Sequence, residues 1–66
     1  MPLIEVTLVA GRPAGQLRTL ITRLTEAAEE ATGAPRRNIR VILREVPATH
    51  WAAGDVTIEE RNEEQP

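Results

Sequence analysis

Pro2 is the residue of this sequence with the most distinctive chemistry. A proline that directly follows an initiator methionine is commonly exposed by aminopeptidase processing, and its nitrogen is then a secondary amine. Terminal amines titrate at about pH 8, and burial or a nearby cation lowers their pKa by favouring the neutral form. Pro2 is therefore a candidate general base if Met1 is removed, whereas an attached Met1 would make this nitrogen a non-basic tertiary amide. Taken alone, Pro2 is better explained as a residue that merely tolerates processing.

Arg12 and Arg40 are candidates for binding an acidic substrate. Guanidinium groups stay charged at any working pH and bind carboxylates through two parallel hydrogen bonds. Arg12 ends the loop after the first expected strand, and Arg40 lies within the second strand between apolar neighbours. A charged residue inside a strand is either a solvated edge position or a ligand-binding group at an interface. For Arg40 taken alone, the solvated position is the better interpretation. Surface charge is our interpretation of Arg18, Arg23, Arg36, Arg37 and Arg44.

Trp51 is the only aromatic residue of the chain. A lone tryptophan can be an anchor in a core or interface, or it can form the wall of a pocket. His50 beside it could act as a base, but nothing nearby resembles a catalytic triad or a set of metal ligands. We therefore interpret His50 as structural or exposed, and we expect neither a metal site nor a cofactor site.

The chain of 66 residues is expected to form one domain, residues 1–66, that is too short to bury a large core. A domain of this size buries only about 60% of the surface that its unfolded chain exposes. The sequence contains no cysteine and one histidine, which excludes disulfides and a conventional structural zinc site. Association of subunits is the remaining way to stabilise such a small scaffold. We therefore expect an oligomer.

The net charge and hydropathy of the chain argue against two classes of partner, nucleic acids and membranes. The net charge is −2, and a protein that binds nucleic acid usually needs a clearly basic face and aromatic stacking platforms. No apolar run approaches the roughly 20 residues of a membrane span, and the first residues lack the pattern of a signal peptide. The sequence therefore predicts a cytoplasmic protein without nucleic-acid or membrane partners.

Two strands would position the candidate residues. Residues 3–9 alternate between apolar and polar side chains, and residues 39–46 form a second strand that Pro47 ends. In the second strand, one face carries Ile39, Val41 and Leu43. The opposite face carries Arg40, Ile42 and Arg44.

An amphipathic helix of about five turns is expected between the two strands. Its apolar residues recur at spacings of three and four, and they are Leu17, Leu20, Ile21, Leu24, Ala27, Ala28 and Ala31. Pro13 fits the first turn of this helix, where a missing N–H has no cost. Gly33 stands where a C-terminal cap belongs, and Pro35 prevents the helix from continuing.

A strand, a helix and a strand with one crossover form a single β-α-β unit of the α/β (α+β) class. Its two strands should be parallel. Residues 56–58 are expected to add a short strand or a hairpin, and residues 59–66 form a polar tail that we expect to be frayed. One helix covers only one face of a two-stranded sheet. The other face of the sheet and both of its edges must therefore be covered by another surface, most simply by another copy of the chain.

Several short motifs occur together along the chain. They are Pro2 with the strand Leu3-Ile4-Glu5-Val6, Gly11-Arg12 after that strand, Ala34-Pro35 after the helix, Ile39-Arg40-Val41-Ile42 in the second strand, and the loop from Pro47 to His50-Trp51. With these motifs at these spacings, the sequence resembles the short subunits of the 4-oxalocrotonate tautomerase family over nearly its full length.

The resemblance implies a fold, an assembly and an activity. Two copies would pair into a four-stranded sheet, and three such dimers would form a homo-hexamer. The activity would be that of a cofactor-free tautomerase of the 2-hydroxymuconate type, which moves a proton between the dienol and conjugated keto forms of a small unsaturated acid. Such an enzyme would serve in the degradation of aromatic compounds.

The same resemblance implies roles for four residues. Pro2 would be the general base and acid. Arg40, from a neighbouring subunit, would bind the carboxylate and polarise the adjacent oxygen. Arg12 would hold a distal carboxylate, and Trp51 would form a wall of the pocket.

The chain departs from the family pattern in two places. Pro13 stands where Ser or Thr often follows Gly-Arg, and Ala-Ala-Gly-Asp at residues 52–55 replaces a glycine-rich turn after the aromatic residue. Fewer glycines are expected to stiffen or redirect the C-terminal segment.

Three alternatives stay open. A cofactor-free dehalogenase or decarboxylase could use the same scaffold, although Ala53 stands where a water-activating carboxylate would be needed. A non-catalytic or partner-dependent subunit of a tautomerase-like hetero-oligomer would also keep the fold, and retention of Met1 would favour it. A free-standing βαβ binding module would be a monomer.

Overall fold

Two parallel strands joined by a long helix form the main body of the structure, a computed structural model that describes residues 2–64. Strand β1 spans Leu3–Val9, helix α1 spans Ala14–Thr32 and strand β2 spans Arg40–Val46. The strands pair in parallel along their whole length, from Leu3 opposite Arg40 to Val9 opposite Val46. This arrangement confirms the β-α-β unit predicted from the sequence.

The alternation of side chains along β1 produces two different faces of the sheet. Ile4, Val6 and Leu8 are half-buried on the face that α1 covers, whereas Glu5 and Thr7 are exposed on the opposite face. Successive residues of a strand point to opposite faces, so the apolar positions with a period of two all meet the helix. Helix α1 lies mainly over β2.

The two ends of α1 follow from a proline and a glycine. The carbonyl oxygen of Pro13 accepts hydrogen bonds from the N–H groups of Gln16, at 3.0 Å, and Leu17, at 3.3 Å. Pro13 is therefore the N-cap, one residue before the first turn in which we expected it, because its ψ of 148° is extended rather than helical. Gly33 is the C-cap as predicted: its φ of 74° is left-handed, and its N–H donates to the carbonyl of Glu29.

The apolar stripe of α1 is only partly covered. Ala27 and Ala31 are exposed, although their spacing predicted that they would belong to the buried stripe. The reason is the position of the helix over β2, which leaves the flank nearer to β1 without cover within the chain. Leu20 lies on this flank, where it lines a groove together with Leu8 of β1.

A short 3₁₀ turn at Arg36–Asn38 connects α1 to β2. The N–H of Asn38 donates to the carbonyl of Pro35 at 2.9 Å, and a guanidinium nitrogen of Arg36 lies 3.1 Å from a carboxylate oxygen of Glu29 on α1. Ile39 follows this turn and is only 8% exposed. The turn is thus fixed to the helix by an ion pair and to the core by a buried side chain.

The C-terminal part of the chain contains a small hairpin. After a second 3₁₀ turn at Ala48–His50, strands β3 (Ala52–Ala53) and β4 (Val56–Thr57) pair in antiparallel orientation. The two residues between them, Gly54 and Asp55, have φ values of 59° and 66°. Two successive positive φ values are typical of the type I′ turn of two-residue hairpins. The hairpin predicted near residues 56–58 is therefore confirmed.

Helix α2, which spans Ile58–Glu64, corrects the prediction of a frayed tail over residues 59–64. Its cause is a reciprocal capping box at its start. The N–H of Glu60 donates to Thr57 Oγ1 at 3.0 Å, and the N–H of Thr57 donates to Glu60 Oε1 at 2.9 Å. Residues 65–66 of the expected tail, like Met1, lie outside the described residues.

The single chain is extended and buries little. Its radius of gyration is 15.3 Å, whereas a compact domain of this length would have about 11 Å. Its accessible surface is 5010 Å², compared with about 4200 Å² for a folded monomer of this mass. Leu3 and Ile42 are 56% and 44% exposed. Both lie on the face of the sheet that α1 does not cover.

The described residues contain neither a membrane-spanning helix nor a group of side chains that could bind a metal ion. Neither described helix is both long and apolar enough to span a lipid bilayer. Within residues 2–63, no three His, Asp or Glu side chains are grouped so that they could hold a metal ion.

Candidate active site

Pro2 and Arg40 lie at the same end of the parallel sheet. The backbone N–H of Arg40 donates to the carbonyl oxygen of Pro2 at 3.0 Å. This bond extends the hydrogen bonding between β1 and β2 by one residue before β1 begins. Pro2 is half-buried, whereas Leu3, the residue opposite Arg40, is exposed. Because side chains alternate along a strand, the ring of Pro2 lies toward the helix side and the Arg40 side chain toward the open face.

The guanidinium of Arg40 is oriented by the turn before β2. Its Nη1 donates to the carbonyl oxygen of Arg37 at 2.8 Å. One edge of the planar group is therefore directed toward the backbone. Since the side chain is exposed and the group carries five donors, its other edge remains suited to a carboxylate.

Arg12 lies beside a groove at the opposite end of β1. The groove has a volume of about 610 Å³ and an apolar floor formed by Leu8, Leu17 and Leu20. Arg12 and Arg23 both line it, and Nη1 of Arg12 donates to Oε1 of Gln16 at 3.3 Å. This combination of an apolar floor and guanidinium groups suits a small organic acid.

The single chain does not bring Pro2 and Arg12 together. Pro2 precedes β1 and Arg12 follows it, so the seven residues of the strand, with a rise of about 3.3 Å each, separate them by more than about 20 Å. Trp51 follows β2, and the carboxyl ends of parallel strands lie at the same end of the sheet. Trp51 therefore belongs to the Arg12 end. The four residues singled out from the sequence form two groups at opposite ends of the sheet.

Trp51 is half-buried and is held through its backbone. Its carbonyl oxygen accepts a hydrogen bond from the N–H of Ile58 at 2.8 Å, which joins the start of the hairpin to the start of α2. His50 beside it is exposed. The interpretation of His50 as structural or exposed therefore agrees with the structure.

Three residues with side-chain contacts here were not identified from the sequence, namely Gln16, Thr57 and Glu60. Gln16 follows Arg12 by four residues, but Arg12 precedes the N-cap of α1, so the helical spacing alone does not predict their contact. Thr57 and Glu60 form the pattern Thr-x-x-Glu, which is a recognised signal for a helix start. The hydrogen bond from the Thr57 backbone, followed by that of the Thr57 side chain, holds the pKa of Glu60 below its usual value.

Comparison with known proteins shows the family to which the chain is related. The profile of the family described as tautomerase enzyme matches residues 2–61. A probable tautomerase of Ralstonia nicotianae is 52% identical over 56 residues, which cover 85% of this chain and 80% of that protein. The 2-hydroxymuconate tautomerase of Pseudomonas putida is 37% identical over 60 residues, which cover 91% of this chain and 95% of that protein.

Solved structures with the same fold include two 4-oxalocrotonate tautomerases or homologues of them. TomN, a homologue in the tomaymycin biosynthetic pathway, has a TM-score of 0.91 and 40% identity, with 94% of this chain and 95% of that chain covered. A heterohexameric 4-oxalocrotonate tautomerase of Chloroflexus aurantiacus has a TM-score of 0.86 and 37% identity, with 91% and 97% covered.

Proposed function

The chain belongs to the tautomerase family of isomerases, and we propose that it moves a proton between the dienol and conjugated keto forms of a small unsaturated 2-hydroxy or 2-oxo acid. The observation that carries this proposal is the placement of Pro2. The family match begins at this residue, and the Arg40 backbone fixes it at the end of the sheet. The reaction transfers only a proton, so it needs no cofactor.

In the proposed mechanism, the ring nitrogen of Pro2 is the amino terminus after removal of Met1. The neutral nitrogen removes the hydroxyl proton of the dienol, which leaves an enolate whose negative charge is shared between the oxygen and the far carbon of the conjugated system. The protonated nitrogen then delivers the proton to that carbon, as the C=O bond of the keto form is completed. Cationic surroundings favour the neutral amine in the resting site, which is the form that a general base requires.

Arg40 is the proposed group that stabilises the intermediate. Negative charge develops on the enolate oxygen next to the carboxylate, and a fixed cation stabilises such charge strongly in a site with little water. The bond from Nη1 of Arg40 to the Arg37 carbonyl supports this role, because it orients the guanidinium before substrate arrives. Arg12 is proposed to hold a distal carboxylate over its apolar groove.

The proposed active site is shared between copies of the chain. Two β1 strands paired antiparallel would place the Pro2 end of each beside the Leu8 and Arg12 groove of the other. The uncovered flank of α1 on the β1 side supports this pairing. The Arg40 side chain lies on the opposite face from Pro2, which supports its contribution to the site of a further copy.

We propose that three such dimers form a homo-hexamer, with Leu3 and Ile42 buried between dimers. Native mass spectrometry tests this assembly, and a stable monomer at micromolar concentration would contradict it. The tautomerase of Chloroflexus aurantiacus is described as a heterohexamer. For this chain, a purified single gene product that forms active hexamers would establish one kind of subunit. The cytoplasmic location stays a prediction from the sequence.

The activity is tested by combining intact-mass analysis with a ketonisation assay on 2-hydroxymuconate. The mass establishes whether Met1 is removed, and the absorbance of the dienol follows the reaction. We expect Pro2→Ala, with Met1 still removed, to lower turnover by two or more orders of magnitude while the oligomer remains intact. Unchanged turnover in Pro2→Ala would overturn the mechanism.

A further inference from the structure

The segment of residues 51–60, which we call the C-terminal clasp, folds back on itself and is closed by three hydrogen bonds. The first joins the Ile58 N–H to the Trp51 carbonyl at 2.8 Å. The other two form the reciprocal pair between Thr57 and Glu60 at 2.9 and 3.0 Å. The type I′ turn at Gly54 and Asp55 closes the far end of the clasp.

We propose that Thr57 and Glu60 are positioning residues for Trp51. They close the C-terminal clasp, and the clasp sets where the indole ring stands at the Arg12 end of the sheet. This inference rests on the proposed function and on the role that the family resemblance implies for Trp51, which is a wall of the substrate pocket. It identifies what holds that wall in place.

The hairpin cannot hold Trp51 without the capping box. Strands β3 and β4 are two residues long, and a short isolated hairpin is marginal in water at best. The Thr57–Glu60 pair satisfies two backbone N–H groups at the start of α2, one of them in the strand residue that precedes the helix. It therefore joins the hairpin and α2 into one unit.

Helix α2 connects this unit to the rest of the chain. It packs against the turn Ala48–His50, which directly precedes Trp51, and against β4. Trp51 thus directly follows a turn that contacts α2, and its carbonyl oxygen accepts from Ile58, the first residue of that helix. Loss of the capping box would release α2 from both contacts, and Trp51 would lose the Ile58 N–H as its donor.

The C-terminal clasp also explains how the chain forms its turn at residues 52–55, where its sequence departs from the glycine-rich turn of the family. Fewer glycines were expected to stiffen or redirect this segment. A type I′ turn needs two residues at positive φ, and Gly-Asp provides both, since Asp tolerates the left-handed region better than most residues. The chain therefore directs its C-terminal segment with one glycine and a capping box.

The test uses the fluorescence of Trp51, which reports on this site alone because the chain has no other aromatic residue. Two variants break the reciprocal box by removing one of its two hydrogen bonds each, Thr57→Val and Glu60→Ala. Two conservative variants keep it, Thr57→Ser and Glu60→Gln, since the Gln oxygen still accepts from the Thr57 N–H. Glu59→Gln is the matched control, because it removes a charge in the same turn of α2.

Each variant is examined in the purified oligomer by emission maximum, acrylamide quenching, and kcat and KM with 2-hydroxymuconate. We expect Thr57→Val and Glu60→Ala to shift the emission to longer wavelength, to increase quenching and to raise KM about five-fold, the factor that corresponds to a lost helix cap. The value of kcat should change less than KM. Thr57→Ser, Glu60→Gln and Glu59→Gln should behave like the wild type.

Two results would overturn the proposal. The first is unchanged emission and quenching in both box-breaking variants, or an equal change in Glu59→Gln. The second is a shift of Trp51 emission without any change in KM, which would end its role as a pocket wall while leaving the Pro2 mechanism intact. A wild-type chain without isomerase activity would instead contradict the proposed function, and the fluorescence would still decide whether the box holds Trp51.

Discussion

The backbone N–H of Arg40 donates to the carbonyl oxygen of Pro2 at 3.0 Å, yet the side chains of these two residues lie on opposite faces of the sheet. The bond fixes the end of the chain that carries the proposed base. The alternation of the strands keeps the guanidinium of the same chain away from that base. The two groups therefore meet only if different copies supply them.

The roles of the arginines predict a ranking of three variants. We expect Arg40→Ala to lower kcat about 100- to 1000-fold, because it removes the cation proposed to stabilise the enolate. Arg12→Ala should mainly raise KM, since it is assigned to substrate binding. Arg44→Ala is the matched control, because Arg44 is exposed on the same face of β2 as Arg40. Steady-state kinetics decide the ranking, and the reverse order for Arg40 and Arg12 would exchange their roles.

The opposite faces of Pro2 and Arg40 also predict complementation between inactive chains. A mixed oligomer of Pro2→Ala and Arg40→Ala chains contains some sites with an intact proline from one chain and an intact arginine from another. Refolded from an equal mixture, it should recover about a quarter of wild-type turnover, since each site draws its two groups independently. Mixtures without any recovered activity would mean that both groups come from one chain.

The contact between Arg12 and Gln16 predicts a smaller effect. Gln16→Leu removes the side chain that accepts from Nη1 of Arg12 at 3.3 Å, so the guanidinium loses its orientation over the groove. We expect KM to rise about two- to three-fold, consistent with the loss of one exposed hydrogen bond. Thr22→Val is the control, because Thr22 accepts a similar bond from Arg18 on the same helix. An equal rise of KM in both variants would contradict the assignment.

The lowered pKa of Glu60 predicts the response of the C-terminal clasp to acid. A carboxyl group with a lowered pKa in the folded state adds stability above its usual pKa of 4.5, and this stability is lost as pH falls through the folded value. Trp51 emission should therefore be constant above about pH 5 and shift as the pH falls below 4.5. In Glu60→Gln this acid-induced shift of Trp51 emission should disappear. If the shift persists in that variant, it is caused by the titration of another group.

Substitutions of two glycines by alanine are expected to have opposite effects on the stability of the protein. Gly33→Ala places a side chain at a φ of 74° and should destabilise the protein by about 1 kcal/mol. Gly15→Ala lies within α1, where an added Cβ meets nothing within 4 Å, and should stabilise it by about 0.5–1 kcal/mol. Thermal unfolding at equal protein concentrations measures both changes. A destabilised Gly15→Ala would indicate that another copy approaches this position.

The regular elements could be predicted because their patterns are strong. The alternation of residues 3–9 and the glycine at position 33 determine β1 and the end of α1 almost without tertiary context. The exposure of Ala27 could not be read from its spacing, because it depends on where the helix lies across the sheet. Helix α2 was missed because acidic composition was given more weight than the local Thr57–Glu60 signal.

The residues proposed for the site come from the sequence, but how they are brought together could not be predicted from it. Strand alternation already separates Pro2 from the Arg40 face, and parallel pairing already places Arg12 at the far end of β1. In the proposed assembly these groups are connected by the relation between copies, which no spacing within one chain encodes. The Gln16 contact depends in addition on the rotamers of two long side chains.

The small amount of burial within one chain has a consequence for how the protein responds to dilution. Among residues 2–63, Ile39 is the only buried residue, at 8% exposed, so an isolated subunit has almost no interior to oppose the conformational entropy of its chain. If copies associate as proposed, folding is governed by mass action, and the melting temperature rises with the total concentration of protein. The fraction of chains that are folded would then depend on how much of the protein is made.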